Sequence, residues 1–266
     1  MTARPFPPDA ALTRDEVLAQ ITALCTRVAQ STVADVPTAG AEEEAAEAEA
    51  AGAKPWWPPA LGDTPLVRTR RLVGHAVDPD NAAHLAALCA WWNDRAAAPW
   101  MDAGSEGTAY TPARLAEGFR ADYARADTPG DLYVVFSERA PGARPVGFAA
   151  LYDRDAARRC AELSYQVGAR ECRGRGYATE MVRAMCAYAF GRARCASVHV
   201  SVVVENAAST RVALRCGFRC YGLRPQSHVG TRAGRPALYD ELLLVCFPED
   251  LAAATAAGRG DDVTLF

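Results

Sequence analysis

The sequence predicts an α/β fold, a mixed and mostly antiparallel twisted sheet with helices packed on it. Three observations carry that expectation. "DLYVVFS" (131–137), "RPVGFAALYD" (144–153) and "CAELSYQV" (160–167) are short apolar runs parted by polar turns, the pattern of an antiparallel meander. Next comes a helix-period segment with Met181, Val182, Met185 and Ala189 on one face. "SVHVSVVVE" then alternates strictly, with valines at 198, 200, 202 and 204.

The remaining elements follow in order. Residues 11–30 read as a helix: Thr13 and Glu16 form a capping box, and Val17, Leu18, Ile21, Leu24, Cys25 and Val28 form one apolar stripe. Residues 37–60 break that pattern with the acidic "AEEEAAEAEAAGAK" and the proline-rich "PWWPPALGDTP", a spacer whose Trp56 and Trp57 are expected to dock on the main body. "VRTRRLVGHAV" supplies a first strand, Asp78-Pro79 starts a helix carrying Leu85, Leu88, Cys89 and Trp92, and Thr111-Pro112 opens another with Leu115, Phe119 and Tyr123. Asn206 caps a later helix that stops at Gly217, and "RCYGLRP" and "ALYDELLLVCF" make the last two strands. The alanine-rich tail from 249 is expected to fray. From residue 66 the order is β-α-α-β-β-β-α-β-α-β-β.

Composition narrows the function. Half the residues are hydrophobic, charged residues make up 23%, and the net charge is -3, so there is no basic excess for a nucleic-acid partner. Lys54 is the only lysine, and arginine carries the positive charge. The nine cysteines form no C-x-x-C pair and have no histidine at ligand spacing, which predicts buried thiols in a reduced cytoplasmic protein and no metal site. No run of eighteen apolar residues and no signal-peptide core occurs, so no membrane partner is expected.

The chemistry concentrates in "CRGRGYATEM" (172–181), a glycine turn running into a helix. A dinucleotide fingerprint needs a third glycine where Thr179 stands, and a nucleoside-triphosphate loop needs a terminal G-K-[ST] that is absent. What remains is an anion cradle. Amides of about 174–178 converge at a helix N-terminus, Gly174 and Gly176 allow close approach, and Arg173 and Arg175 add charge.

"RGRGYA" fits R/Q-x-x-G-x-G/A, and the chain resembles the GNAT superfamily of acyl-CoA-dependent N-acyltransferases. "RGRGYATE" is similar to the Rim-type branch of ribosomal-protein alanine acetyltransferases. "AELSYQV" resembles the family's strand before the turn, "ENAASTRVALRCGF" its N-x-x-S…G-F helix, and "TRRLVGHAVDPDNAAHLAALC" the branch's opening strand and helix. The resemblance covers residues 66–247.

It implies a GNAT-type sheet whose central strands, 160–167 and 197–204, splay to admit acetyl-CoA. The backbone near Val167, Gly168 and Ala169 would pair with pantetheine. The turn Arg173, Gly174, Arg175, Gly176, Tyr177, Ala178 and Thr179 would hold the pyrophosphate, with Asn206 and Ser209 beside the thioester end. An amine would attack the thioester directly in a ternary complex. The tyrosine that many family members use as general acid is Ala213 here, and the resemblance to the Rim-type branch, whose members often lack that tyrosine, implies the helix serine, Ser209, in its place. Glu162 and His228, the latter placed in a loop between the last strands, are the candidate bases. The acceptor is a protein N-terminus or small-molecule amine, and the acceptor loops, about 94–110 and 225–237, carry no signature. A non-catalytic acyl-CoA sensor is the alternative. The segment 1–60 has no counterpart in the family, and the expected organisation is an N-terminal amphipathic helix of unassigned role (1–36), a linker (37–65), the acetyltransferase domain (66–248) and a tail (249–266), in a monomer or homodimer.

Overall fold

The structure, a computed structural model, describes residues 11–30, 61–62, 64–97, 100, 109–124, 131–155, 158–232, 235–257 and 263–265. The spacer at 37–60, with Trp56 and Trp57, lies outside them, as do the side chains of Leu24, Cys25 and Val28. The elements run α1 (Arg14–Gln30), β1 (Val67–Arg68), β2 (Leu72–Ala76), α2 (Ala82–Trp92), α3 (Pro112–Ala124), β3 (Leu132–Glu138) and β4 (Pro145–Asp155). They continue with β5 (Cys160–Gln166), α4 (Tyr177–Gly191), β6 (Ser197–Val203), α5 (Ala207–Arg215), β7 (Arg219–Arg232), β8 (Arg235–Cys246), α6 (Pro248–Ala257) and β9 (Thr264–Leu265).

The strands form one sheet in the order β7-β8-β6-β5-β4-β3-β2-β1-β9. Every neighbouring pair is antiparallel except β5 and β6, which run parallel. The expected meander is β3-β4-β5, and the mixed sheet with flanking helices is the predicted fold class. One face buries α4: Met181, Val182 and Met185 are fully enclosed with Val198, Val200 and Val202 of β6. Each such side chain contributes about 1.5–3 kcal/mol on burial. The other face carries a second core in which Leu88 and Trp91 of α2 and Phe119 of α3 meet Val135 and Phe148.

Local signals explain most boundaries. Thr13 N–H donates to Glu16 Oε2 at 2.7 Å and Glu16 N–H returns to Thr13 Oγ1 at 3.3 Å, so the capping box forms. Val17 is buried, but Leu18 is 51% exposed, which narrows the α1 stripe. α1 lies against the outer strand, where Gln20 Oε1 accepts from Cys220 N–H at 3.0 Å and covers part of an open sheet edge. α2 starts at Ala82 and not at Asp78-Pro79, because Asn81 Oδ1 caps Ala83 and His84 while Asp78 Oδ1 closes a turn onto Asp80 N–H. Gly217 has φ +93 and ends α5 as predicted.

Two expectations are corrected. Residues 225–237 are not an open loop: β7 and β8 continue as a long hairpin whose register shifts between Arg224 and His228. The tail does not simply fray either. α6 packs with Asp250 buried against Arg219, and β9 pairs with β1, so 249–257 and 263–265 belong to the folded unit. The cysteines at 89, 172, 186, 195, 216, 220 and 246 are buried free thiols, and Cys160 is half-buried. Among the described residues no helix is long and apolar enough to cross a membrane.

Candidate active site

The parallel ladder between β5 and β6 lasts three rungs, Cys160–Ser197, Ala161–Val198 and Glu162–His199. Beyond Glu162 the strands part. β5 follows β4 as far as Gln166 opposite Phe148, while β6 follows β8 as far as Val203 opposite Glu241. The resulting gap opens into a cleft of about 980 Å³.

At the mouth stands the glycine turn. Gly174 (φ +74) and Gly176 (φ +82) are both left-handed, a conformation that L side chains disfavour. Gly176 is the N-cap of α4 and offers no side-chain cap, which leaves the first-turn amides open to an anion. Gly174, Gly176, Tyr177, Ala178 and Thr179 line the cleft with Arg173. Arg175 and Gly168 do not line it. Arg173 Nε donates to Val167 O at 3.0 Å, and its guanidinium lies 3.9 Å from Asp94 Oδ2. Arg170 hydrogen-bonds the same carboxylate at 2.6 Å and, with the Ala96 amide, holds Asp94 below its ordinary value. Gly168 lies on Trp91, where a Cβ would come within 2.0 Å of the indole. Of the backbone expected to face pantetheine, Ala169 N–H is committed to Val146 O at 3.1 Å, because it continues the β4 edge.

Deeper in, Asn206 caps α5 by accepting from Ser209 N–H at 3.1 Å. Asn206, Ser209 and Glu162 all line the cleft. The Ser209 hydroxyl does not bond local backbone. It meets the Tyr165 hydroxyl at 2.7 Å, and that phenol donates to Ser209 O at 3.1 Å. Burial pushes the Tyr165 phenol well above its ordinary value, more than the Ser209 hydrogen bond lowers it, so it stays a neutral donor.

His228 also lines the cleft, although it is not an exposed loop residue. It sits on β7 opposite Tyr239 and is only 6% exposed, because the strand irregularity at 224–228 turns it inward. Beside it Ser227 Oγ donates to Glu241 Oε2 at 2.6 Å, and Arg224 lies 3.8 Å from the same oxygen.

Two residues of this site, Tyr165 and Glu241, were missed in the sequence. Tyr165 sat within a quoted strand but had no visible partner. Glu241, which with Asp240 interrupts the otherwise apolar "ALYDELLLVCF", was the available signal for a wall facing a cleft. His199, outside the cleft lining, shares a rung with Glu162, and burial holds its imidazole below the ordinary value against the pull of that carboxylate.

The sequence model of the acetyltransferase (GNAT) domain matches residues 76–219. No curated protein matches this sequence. Solved structures share the fold. Mycobacterium smegmatis RimJ in complex with CoA-disulfide is 21% identical, with 78% of this chain and 98% of that one covered at TM-score 0.59. Vibrio cholerae spermidine N-acetyltransferase in complex with CoA and spermine is 18% identical, covering 68% and 98% at TM-score 0.57. A putative ribosomal-protein-serine acetyltransferase from Vibrio cholerae is 21% identical, covering 71% and 100% at TM-score 0.53.

Proposed function

The chain belongs to the GNAT acetyltransferase family, and from that premise we propose that it acetylates a primary amine directly from acetyl-CoA in a ternary complex. The observation that carries this reading is the gap between β5 and β6, which leads from the uncapped α4 amides at one end to Glu162 and Ser209 further in. The uncapped amides and Arg173 suit a pyrophosphate, and the exposed edges of the parted strands suit an amide-bearing arm.

An amine acceptor arrives protonated, with a pKa of about 8 for a chain terminus and about 10 for a lysine. Glu162, directly or through water, takes that proton and frees the nitrogen lone pair. As the C–N bond forms and the C–S bond breaks, the nitrogen gives up a second proton and the departing thiolate needs one. Ser209, hydrogen-bonded to Tyr165, is the hydroxyl facing that end of the cleft, and it passes the nitrogen's second proton on to the thiolate sulfur as it gives up its own. Glu162 and Glu241 place two carboxylates on the cleft wall, the second beside Arg224, and a cationic amine suits the first. His228 shapes that wall from β7.

Gly176→Asp tests the donor site. It places a carboxylate and a Cβ at a left-handed position against the pyrophosphate, so acetyl-CoA binding measured by calorimetry should weaken at least about tenfold. A folded variant that binds as the wild type does would remove the turn from the site.

A further inference from the structure

We infer that Arg71, a residue of the β1–β2 turn more than a hundred positions away in sequence, sets the orientation of the pyrophosphate-binding amides. The inference rests on the donor site proposed above.

Arg71 stands behind the glycine turn and is not part of the cleft wall, whereas Gly174 and Gly176 are. Its Nη1 donates to the carbonyl of Arg175 at 2.8 Å. In a trans peptide the carbonyl and the following N–H point in opposite directions. Holding Arg175 C=O on the Arg71 side therefore turns the Gly176 N–H away from Arg71, toward the cleft. The turn does not secure this plane by itself, since Gly176 on one side of it has positive φ and no side chain, as does Gly174 one residue before Arg175.

Arg71 is itself held from three sides. Its Nε donates to Glu180 Oε2 at 2.7 Å, and its backbone N–H donates to Glu180 Oε1 at 2.8 Å. Its guanidinium carbon lies 4.4 Å above the Tyr177 ring. Glu180, fully enclosed on the first turn of α4, also accepts from the Thr69 hydroxyl. A buried carboxylate with this many donors fixes the angle of the guanidinium. The chain thus runs from Thr69 and Glu180 through Arg71 to one peptide plane of the cradle. Arg71 and Glu180 act through that plane and are positioning residues.

The test compares two acetyl donors, acetyl-CoA and S-acetyl-pantetheine, which lacks the pyrophosphate. Arg71→Met should raise KM for acetyl-CoA about tenfold with kcat nearly unchanged, and leave kcat/KM for acetyl-pantetheine at the wild-type value. Arg71→Lys keeps the charge but cannot serve Glu180 and Arg175 together, so it should show the same donor-selective loss even if the methionine variant fails to fold. Equal losses with both donors, or no loss in a folded lysine variant, would overturn the inference. A wild-type protein that used neither donor would instead sink the proposed function.

Discussion

The phenol oxygen of Tyr165 lies 2.7 Å from the hydroxyl oxygen of Ser209 and donates to the Ser209 carbonyl at 3.1 Å, joining β5 to α5 across the open end of the sheet gap. The tyrosine of the related helix motif is Ala213 here, fully buried. A phenol therefore approaches the same helix from the neighbouring strand, one step behind the serine. Ser209→Ala should lower kcat about 100-fold with little change in KM for acetyl-CoA. Tyr165→Phe should cost less, and the double variant should be no slower than Ser209→Ala, because the two act as one unit. Additive losses would separate them.

Glu162 sits on the last shared rung of β5 and β6, where the gap begins. Glu162→Gln keeps the shape and removes the proposed proton acceptor, so kcat should fall at least about 100-fold while acetyl-CoA binding is unchanged. His228→Gln, further along the wall, should raise the acceptor KM more than it lowers kcat. Steady-state kinetics on both variants checks the division of labour, and a larger kcat loss at His228 would reverse it.

Gly168→Ala tests the support beneath the gap. The new Cβ would lie 2.0 Å from the Trp91 ring, a contact that only backbone or indole movement relieves. Overpacking of this kind costs about 1–3 kcal/mol or more, so the melting temperature should fall by roughly 5–10 °C. Scanning calorimetry would record it, and an unchanged midpoint would mean that α2 yields freely.

Glu180 supplies a pH dependence of stability. Burial alone pushes its carboxyl up, but hydrogen bonds from Thr69, the Arg71 amide and the Arg71 guanidinium more than offset it and hold the pKa below the ordinary value. A depressed native pKa stabilises the fold above the unfolded glutamate value of about 4.3, and that stabilisation is lost as pH falls through the native one. Glu180→Gln should therefore be less stable than the wild type near neutral pH and show a flatter acid limb. Urea midpoints across that range would show converging curves, and parallel curves would contradict the coupling.

What could be read from the sequence was what neighbouring residues determine among themselves. The Thr13–Glu16 box, the valine alternation of β6, the Gly217 stop and the glycine turn each depend on local backbone chemistry, and each formed. The sheet gap came from the family resemblance and not from periodicity. Contacts between distant segments stayed hidden: Tyr165 with Ser209, Arg71 with Glu180 and Arg175, and β9 with β1 have no local signature. His228 was misplaced because it falls between the two strand segments "RCYGLRP" and "ALYDELLLVCF", while cross-strand pairing with Tyr239 carries the chain through as a strand.

The central claim is catalysis, and release of the CoA thiol measures it most directly. Purified protein with acetyl-CoA and a panel of N-terminal peptides, polyamines and aminoglycosides should release one thiol for each amine acetylated, and Glu162→Gln should abolish most of that turnover. Tight acetyl-CoA binding with no thiol release above the acceptor-free rate across the whole panel would contradict the account and mark the chain as a sensor of acyl-CoA.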